Sequence, residues 1–162
     1  MLNNDLSQQI KRNFPYKPTE EQENAVKSFA EFLFSPSADS VFLMKGYAGT
    51  GKTTLTSALV RTLDSLQRKV ILLAPTGRAA KGFSGYAEHP AYTIHKKIYR
   101  QKVFSNETDN FVANQNLHRN TLFIVDEASM IANEGLSGGH FGSGRLLDDL
   151  VQYVYNLSLI HI

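Results

Sequence analysis

Gly46-Tyr47-Ala48-Gly49-Thr50-Gly51-Lys52-Thr53 reads G-x-x-x-x-G-K-T, a spacing that suits a polyphosphate. Glycines at Gly46, Gly49 and Gly51 let the backbone curl round an anion without side-chain clashes. The N–H groups from Gly46 through Ala48, Thr50 and on to Thr54 then face the phosphates, with a helix N-terminus behind them. Lys52 is placed to reach the β- and γ-phosphates of a nucleotide, and the Thr53 hydroxyl to ligate Mg²⁺. The competing reading is a plain glycine turn before a helix. The flanks argue against it: Val41-Phe42-Leu43-Met44 has strand character, and Leu55, Leu59, Leu63 and Leu66 recur at helical spacing.

A second group of residues bears on the chemistry. Leu122-Phe123-Ile124-Val125 runs into Asp126-Glu127. Ligands of parallel sheets bind beyond the carboxyl ends of strands, so both acids are expected beside the phosphate loop. Asp126 can hold Mg²⁺ through its water shell, because that ion gives up water reluctantly. Glu127 can orient or deprotonate a water for attack on a γ-phosphate. The chain has no N-K-x-D string of the kind that reads guanine. Lys52, Asp126 and Glu127 are therefore the expected catalytic residues, Thr53 and Asp126 the metal residues, and hydrolysis of Mg²⁺–ATP the expected reaction.

These groups need a scaffold. The chain has 162 residues and 42% hydrophobic residues, enough for one ordinary core. It lacks cysteine, which excludes disulfides and thiolate metal sites. A formal charge of +2 is too small to argue nucleic-acid binding, although Lys81, Lys96, Lys97, Arg100 and Lys102 cluster in one stretch. No segment approaches the roughly 18 apolar residues of a membrane span. Residues 1–11 lack an apolar signal core, so a cytoplasmic chain without a membrane partner is expected.

Residues 1–18 read as a lead-in ending at Pro15 and Pro18. Thr19 with Gln22 fits a capping box for a helix carrying Ala25, Val26, Phe29, Phe32 and Leu33. Strands are expected at 40–45, 69–74 and 121–125. Helices are expected at 54–66, around Arg78–Gly82, at 92–101 and at 146–155. Val103-Phe104 and Phe111-Val112 are candidate hairpin strands. Residues 135–144 hold five of the eleven glycines and read as a loop. Strands alternating with helices predict an α/β fold whose mostly parallel sheet is flanked by helices.

Taken in order, Gln22, GYAGTGKT (46–53), APTGRAAK (74–81), TIH (93–95) and VDEASM (125–130) resemble superfamily 1 DNA helicases of the RecD/Dda-like group. The resemblance spans about residues 19–156. It implies a RecA-like P-loop NTPase domain, the first motor domain of a 5′-to-3′ helicase working on single-stranded DNA. It implies that Gln22 reads the adenine edge, which its donor-plus-acceptor amide suits. It further implies DNA contacts from Pro75, Thr76, Gly77 and Arg78, and from Thr93 and His95. Phe83 and Tyr86 offer stacking faces, with core packing the stronger expectation.

The chain also departs from that group. No G-D-x-x-Q-L string follows Tyr155, a second RecA-like domain is missing, and nothing in its context marks Arg145 as an arginine finger. Residues 157–162 are expected to be a non-native tail, with an apolar terminal strand as the alternative. The expected organisation is thus a lead-in (1–18), an ATPase domain incomplete at its C-terminus (19–156) and the tail. Two alternatives stay open: another P-loop ATPase of AAA+ type, and a nucleotide-binding fragment without turnover.

Overall fold

The computed structural model describes residues 2–34, 40–101, 111–132, 142–155 and 159–161. The chain starts with helices α1 (Leu2–Arg12) and α2 (Glu20–Leu33), strand β1 (Val41–Phe42) and helix α3 (Lys52–Ser65). Strand β2 (Lys69–Ala74), helix α4 (Gly77–Ala87), strand β3 (Ala91–Thr93), helix α5 (Ile94–Ile98) and strand β4 (Tyr99–Gln101) follow. Strands β5 (Phe111–Ala113) and β6 (Thr121–Val125), a 3₁₀ turn at Ala128–Met130, helix α6 (Leu146–Tyr155) and strand β7 (Leu159–His161) complete it.

Five strands form one sheet in the order β1-β7-β6-β2-β3, and every neighbouring pair is parallel. The period of two along a strand then divides the core. Val70, Leu72, Leu122 and Ile124 face one side, where they pack with α1, α2, α3 and α4. Ile71, Leu73, Phe123 and Val125 face the other, against α5 and α6. Residues 70–73 and 122–125 are buried on both faces, which is why they read as unbroken apolar runs. The sheet is the α/β arrangement expected from the sequence.

The expected capping box is formed. Thr19 Oγ1 accepts from the Gln22 N–H at 3.3 Å, and Gln22 Oε1 accepts from the Thr19 N–H at 3.0 Å. The strands at 69–74 and 121–125 and the helix at 146–155 also fall where the residue pattern puts them.

Other segments differ. The expected lead-in contains α1, which buries Leu6 and Ile10, with Phe14 just beyond it, at four-residue spacing. Lys11 pairs with Glu23 at 2.6 Å, and Asn13 Nδ2 donates to Thr62 Oγ1 at 2.8 Å, so α1 is tied to α2 and α3. The helix expected over 92–101 is a strand, a short helix and a strand. Tyr92 and Thr93 pair with Leu73 and Ala74 of β2, and the Thr93 hydroxyl accepts the Lys96 N–H at 3.2 Å, starting a new helix there. Arg100 and Gln101 pair antiparallel with Val112 and Phe111; Val103-Phe104 lie outside the described residues. Of the expected glycine loop, 135–141 also lie outside them, while Gly142 and Gly144 take φ of +51° and +81°. Residues 159–161, within the expected tail, form β7 between β1 and β6.

Phe29 is the joint between α2 and the sheet edge. It is fully buried, 5.6 Å from Phe42 of β1 in an edge-to-face pair and 6.2 Å from Phe32. Phe29→Ala is expected to lower the unfolding free energy by about 3–5 kcal/mol, read from urea melts followed by circular dichroism.

Candidate functional site

All strands of the large sheet run the same way, so their carboxyl ends share one rim. Along it stand the 46–53 loop after β1, Asp126-Glu127 after β6, Pro75-Thr76 after β2 and Thr93 at the end of β3. A cavity of about 640 Å³ opens at the β1–β6 half. Gly46, Lys52, Asp126 and Glu127 line it, with Thr56 and Leu147.

The loop's shape follows from its glycines. Gly49 and Gly51 take φ of +81° and +83°, a region side chains disfavour. A Cβ at Gly46 would lie 2.7 Å from Thr50 Oγ1, and one at Gly51 would collide with Gln22 Nε2. Thr50 Oγ1 donates to the Tyr47 carbonyl at 2.8 Å and closes the turn. Lys52 opens α3, and its ammonium donates to the Gly46 and Tyr47 carbonyls, the latter at 2.8 Å. A third N–H is left for a ligand. Ala48 and Thr53 are exposed, and Thr54 Oγ1 lies 3.0 Å from the Tyr16 hydroxyl.

Gln22 is buried, and its amide is engaged at both ends. Beyond the capping bond, its Nε2 donates to the Thr50 carbonyl at 3.3 Å. In this arrangement it braces the phosphate loop from α2. One Nε2 proton and one Oε1 lone pair are left over from these two bonds.

Asp126 is half-buried and continues the β2–β6 ladder: its N–H donates to the Leu73 carbonyl at 3.0 Å. Its Oδ2 accepts from the Tyr86 hydroxyl at 2.6 Å. Burial, then the bond to Asp126, then the charges of Asp126 and Glu127 hold the Tyr86 phenol far above its ordinary range, so it stays a donor. Glu127 is exposed and takes φ +55°. A non-glycine residue there costs about 1 kcal/mol or more, and such outliers gather at functional sites. Among the described residues no three His, Cys, Asp or Glu side chains gather to bind a metal. One carboxylate and one hydroxyl, Asp126 and Thr53, fit Mg²⁺, which keeps most of its water and takes further oxygens from phosphates.

The expected DNA residues occupy the β2–β3 half of the rim. Thr76 caps α4, its Oγ1 accepting from the Ala79 N–H at 3.2 Å, and Thr76, Gly77 and Arg78 are all exposed. Pro75 and Thr93 are half-buried. His95 lies 5.8 Å from the Tyr99 ring, and burial lowers its pKa below 6.5, so at neutral pH it offers a neutral ring rather than a cation. Of the basic cluster, Lys81, Lys96 and Arg100 are exposed, while Lys97 sits 5.5 Å over the Tyr92 ring. Lys102 lies outside the described residues. Arg145 pairs with Asp148 at 3.1 Å.

A family description, AAA domain, matches residues 17–138, more than half of the chain. The chain belongs to the AAA domain family. It is similar to the multifunctional conjugation protein TraI of Escherichia coli K12, 31% identical over 119 residues, which cover 67% of this chain and 6% of that protein. It is similar to the ATP-dependent RecD2 DNA helicase of Deinococcus radiodurans, 33% identical over 92 residues, 56% of this chain and 12% of that one. An uncharacterized protein of Methanocaldococcus jannaschii is 27% identical over 139 residues, 79% of this chain and 11% of its own. The chain thus spans only a small part of these relatives. The resemblance to RecD-like helicases holds, and the family implies nucleotide binding by a helicase-like ATPase domain. No helix among the described residues is long and apolar enough to cross a membrane.

Two groups of this AAA domain escaped the sequence reading. Tyr86 was expected to pack, and it does stack on Phe83 at 5.2 Å, but its hydroxyl reaches the acid 40 positions away. A tyrosine among apolar residues of a helix face was the available signal, since a buried hydroxyl needs a partner. Ser57 Oγ contacts the Thr53 carbonyl at 2.9 Å and the Tyr86 carbonyl at 3.0 Å, and no spacing marks it.

Two outcomes are expected. Gly51→Ala should weaken binding of a fluorescent ADP analogue at least about tenfold, because it strains the loop and displaces Gln22. An unchanged dissociation constant would show that the loop tolerates the side chain. In acid, the folded chain resists protonating His95 where the unfolded chain accepts the proton. Stability contributed by the neutral ring is present above pH 6.5 and is lost as the pH falls below it. His95→Gln should flatten that part of a urea-melt pH profile.

Proposed function

We propose that this domain binds Mg²⁺–ATP in the cavity between the 46–53 loop and Asp126-Glu127 and hydrolyses it as the motor of a 5′-to-3′ DNA helicase moving on single-stranded DNA. The observation that supports this best is the shared rim. The phosphate loop and the two acids line one cavity, and the exposed turn at Thr76–Arg78 stands beside it on the next strand. Similarity to an ATP-dependent DNA helicase and to a conjugation protein agrees with that reading, and the polarity rests on the family resemblance alone.

Mg²⁺–ATP would supply the anhydride bond and a cation to neutralise developing charge. The roles of the chain's own residues follow from their chemistry. Gly46, Ala48, Gly49, Thr50, Gly51 and Thr54 offer backbone N–H groups to the phosphates. Lys52 holds the terminal phosphates by its free N–H and its charge. Thr53 and Asp126 hold the metal, and Glu127 orients water and accepts its proton. Gln22 braces the loop and faces the base. Pro75, Thr76, Gly77 and Arg78, with Thr93 and His95, hold the strand's phosphates without reading sequence.

Glu127→Gln should lower the turnover number by about 10²-fold or more, the range for a lost general base, while leaving binding of the ADP analogue intact. Lys52→Ala should weaken binding as well. Steady-state phosphate release with and without oligo(dT) measures turnover, and titration with the fluorescent ADP analogue measures binding. Turnover by Glu127→Gln equal to that of the unaltered chain would refute the assigned role.

A further inference from the structure

Helix α4 joins the two halves of the rim. Thr76 caps its start and Gly77 and Arg78 open it, all three exposed on the proposed DNA side. Ten residues on, about 15 Å along the helix, Tyr86 points its hydroxyl at Asp126 Oδ2, 2.6 Å away. At the same turn the single Ser57 hydroxyl proton is shared between two acceptors, the Tyr86 carbonyl at 3.0 Å and the Thr53 carbonyl at 2.9 Å. One helical turn is thus bonded to Asp126 directly and linked through Ser57 to the backbone of Thr53. Phe83, fully buried and stacked on Tyr86, holds the ring against the core.

We propose that Tyr86 is a positioning residue for Asp126, and that through this bond α4 carries strand occupancy at Thr76–Arg78 to the metal site. The inference rests on the reading above. A carboxylate with one oxygen held by a hydroxyl keeps its other oxygen aimed, and partners of this kind tune metal sites. Phosphates drawn onto the first turn act on a helix whose far end is fastened to Asp126 and, through Ser57, to Thr53. A small tilt of α4 therefore changes how Asp126 presents its free oxygen. The sequence between these points contains no other described side-chain bond from α4 to Asp126.

Tyr86→Phe removes only the hydroxyl and keeps the ring on Phe83. The test is the Mg²⁺ dependence of binding of a fluorescent ADP analogue by the whole chain, with and without oligo(dT). In the unaltered chain, oligo(dT) should shift the Mg²⁺ concentration for half-saturation. Tyr86→Phe should raise that concentration about tenfold without DNA, the scale of one lost hydrogen bond to a charged group, and should abolish the oligo(dT) shift. Thermal melting without Mg²⁺ controls for a merely structural role. A lower melting temperature with unchanged Mg²⁺ dependence and an unchanged oligo(dT) shift would overturn the proposal. If Tyr86→Phe fails to fold, Ser57→Ala loosens the same turn from Thr53. Loss of the oligo(dT) shift there supports the coupling, and an unchanged shift overturns it. Failure of the unaltered chain to bind the analogue, or to respond to DNA, would instead refute the reading on which the inference stands.

Discussion

The uniform direction of the five-stranded sheet is the constraint on which the site depends. The β2–β6 register, from Lys69 opposite Thr121 to Leu73 opposite Val125, brings two chain segments 52 positions apart to a common end. The ladder then adds one more bond, from the Asp126 N–H to the Leu73 carbonyl, which fixes where the acid leaves the strand. Reversing β6 would send Asp126-Glu127 to the opposite rim from the phosphate loop. The five buried residues on each strand that lock the register are thus as much a part of the chemistry as the acids that follow β6.

Around that rim, backbone strain and side-chain bracing divide the work. The loop needs left-handed residues at two positions and has glycine at both, so its shape costs little. Glu127 takes the same region without being glycine, and its conformation is held by the β6 strand on one side and the 3₁₀ turn on the other. Gln22 does two jobs with one amide: it closes the α2 capping box and steadies Thr50. The start of α2 and the phosphate loop are therefore tied to each other, although 28 positions separate Gln22 from Thr50.

How much of this was legible depended on how local its cause was. The apolar runs at 69–74 and 121–125 appear in the structure because two-sided burial needs no partner to be recognised. The capping box and the glycine loop carry their reasons within a few residues. By contrast, the stretch at 92–101 has helical spacing in Ile94 and Ile98, but a tertiary edge at β2 draws Tyr92 and Thr93 into a strand. The α1 helix was hidden by its polar composition, although Leu6, Ile10 and Phe14 recur at four-residue spacing. The Tyr86–Asp126 bond was out of reach of any spacing rule, since only the packing of α4 on the sheet brings its ends together.

The order β1-β7-β6 also sets the width of the site. Adjacent strands lie about 4.8 Å apart. Were β1 and β6 direct neighbours, the loop and Asp126 would leave strands only that far apart. One intervening strand opens that spacing to about 10 Å, and Lys52 and Asp126 then face each other across a cavity of about 640 Å³. Backbone pairing alone is needed for this spacing, since a strand of any composition in the β7 position would hold β1 and β6 apart. The spacing along the rim therefore follows from the strand order, whereas the groups that stand on it come from the segments that follow β1 and β6.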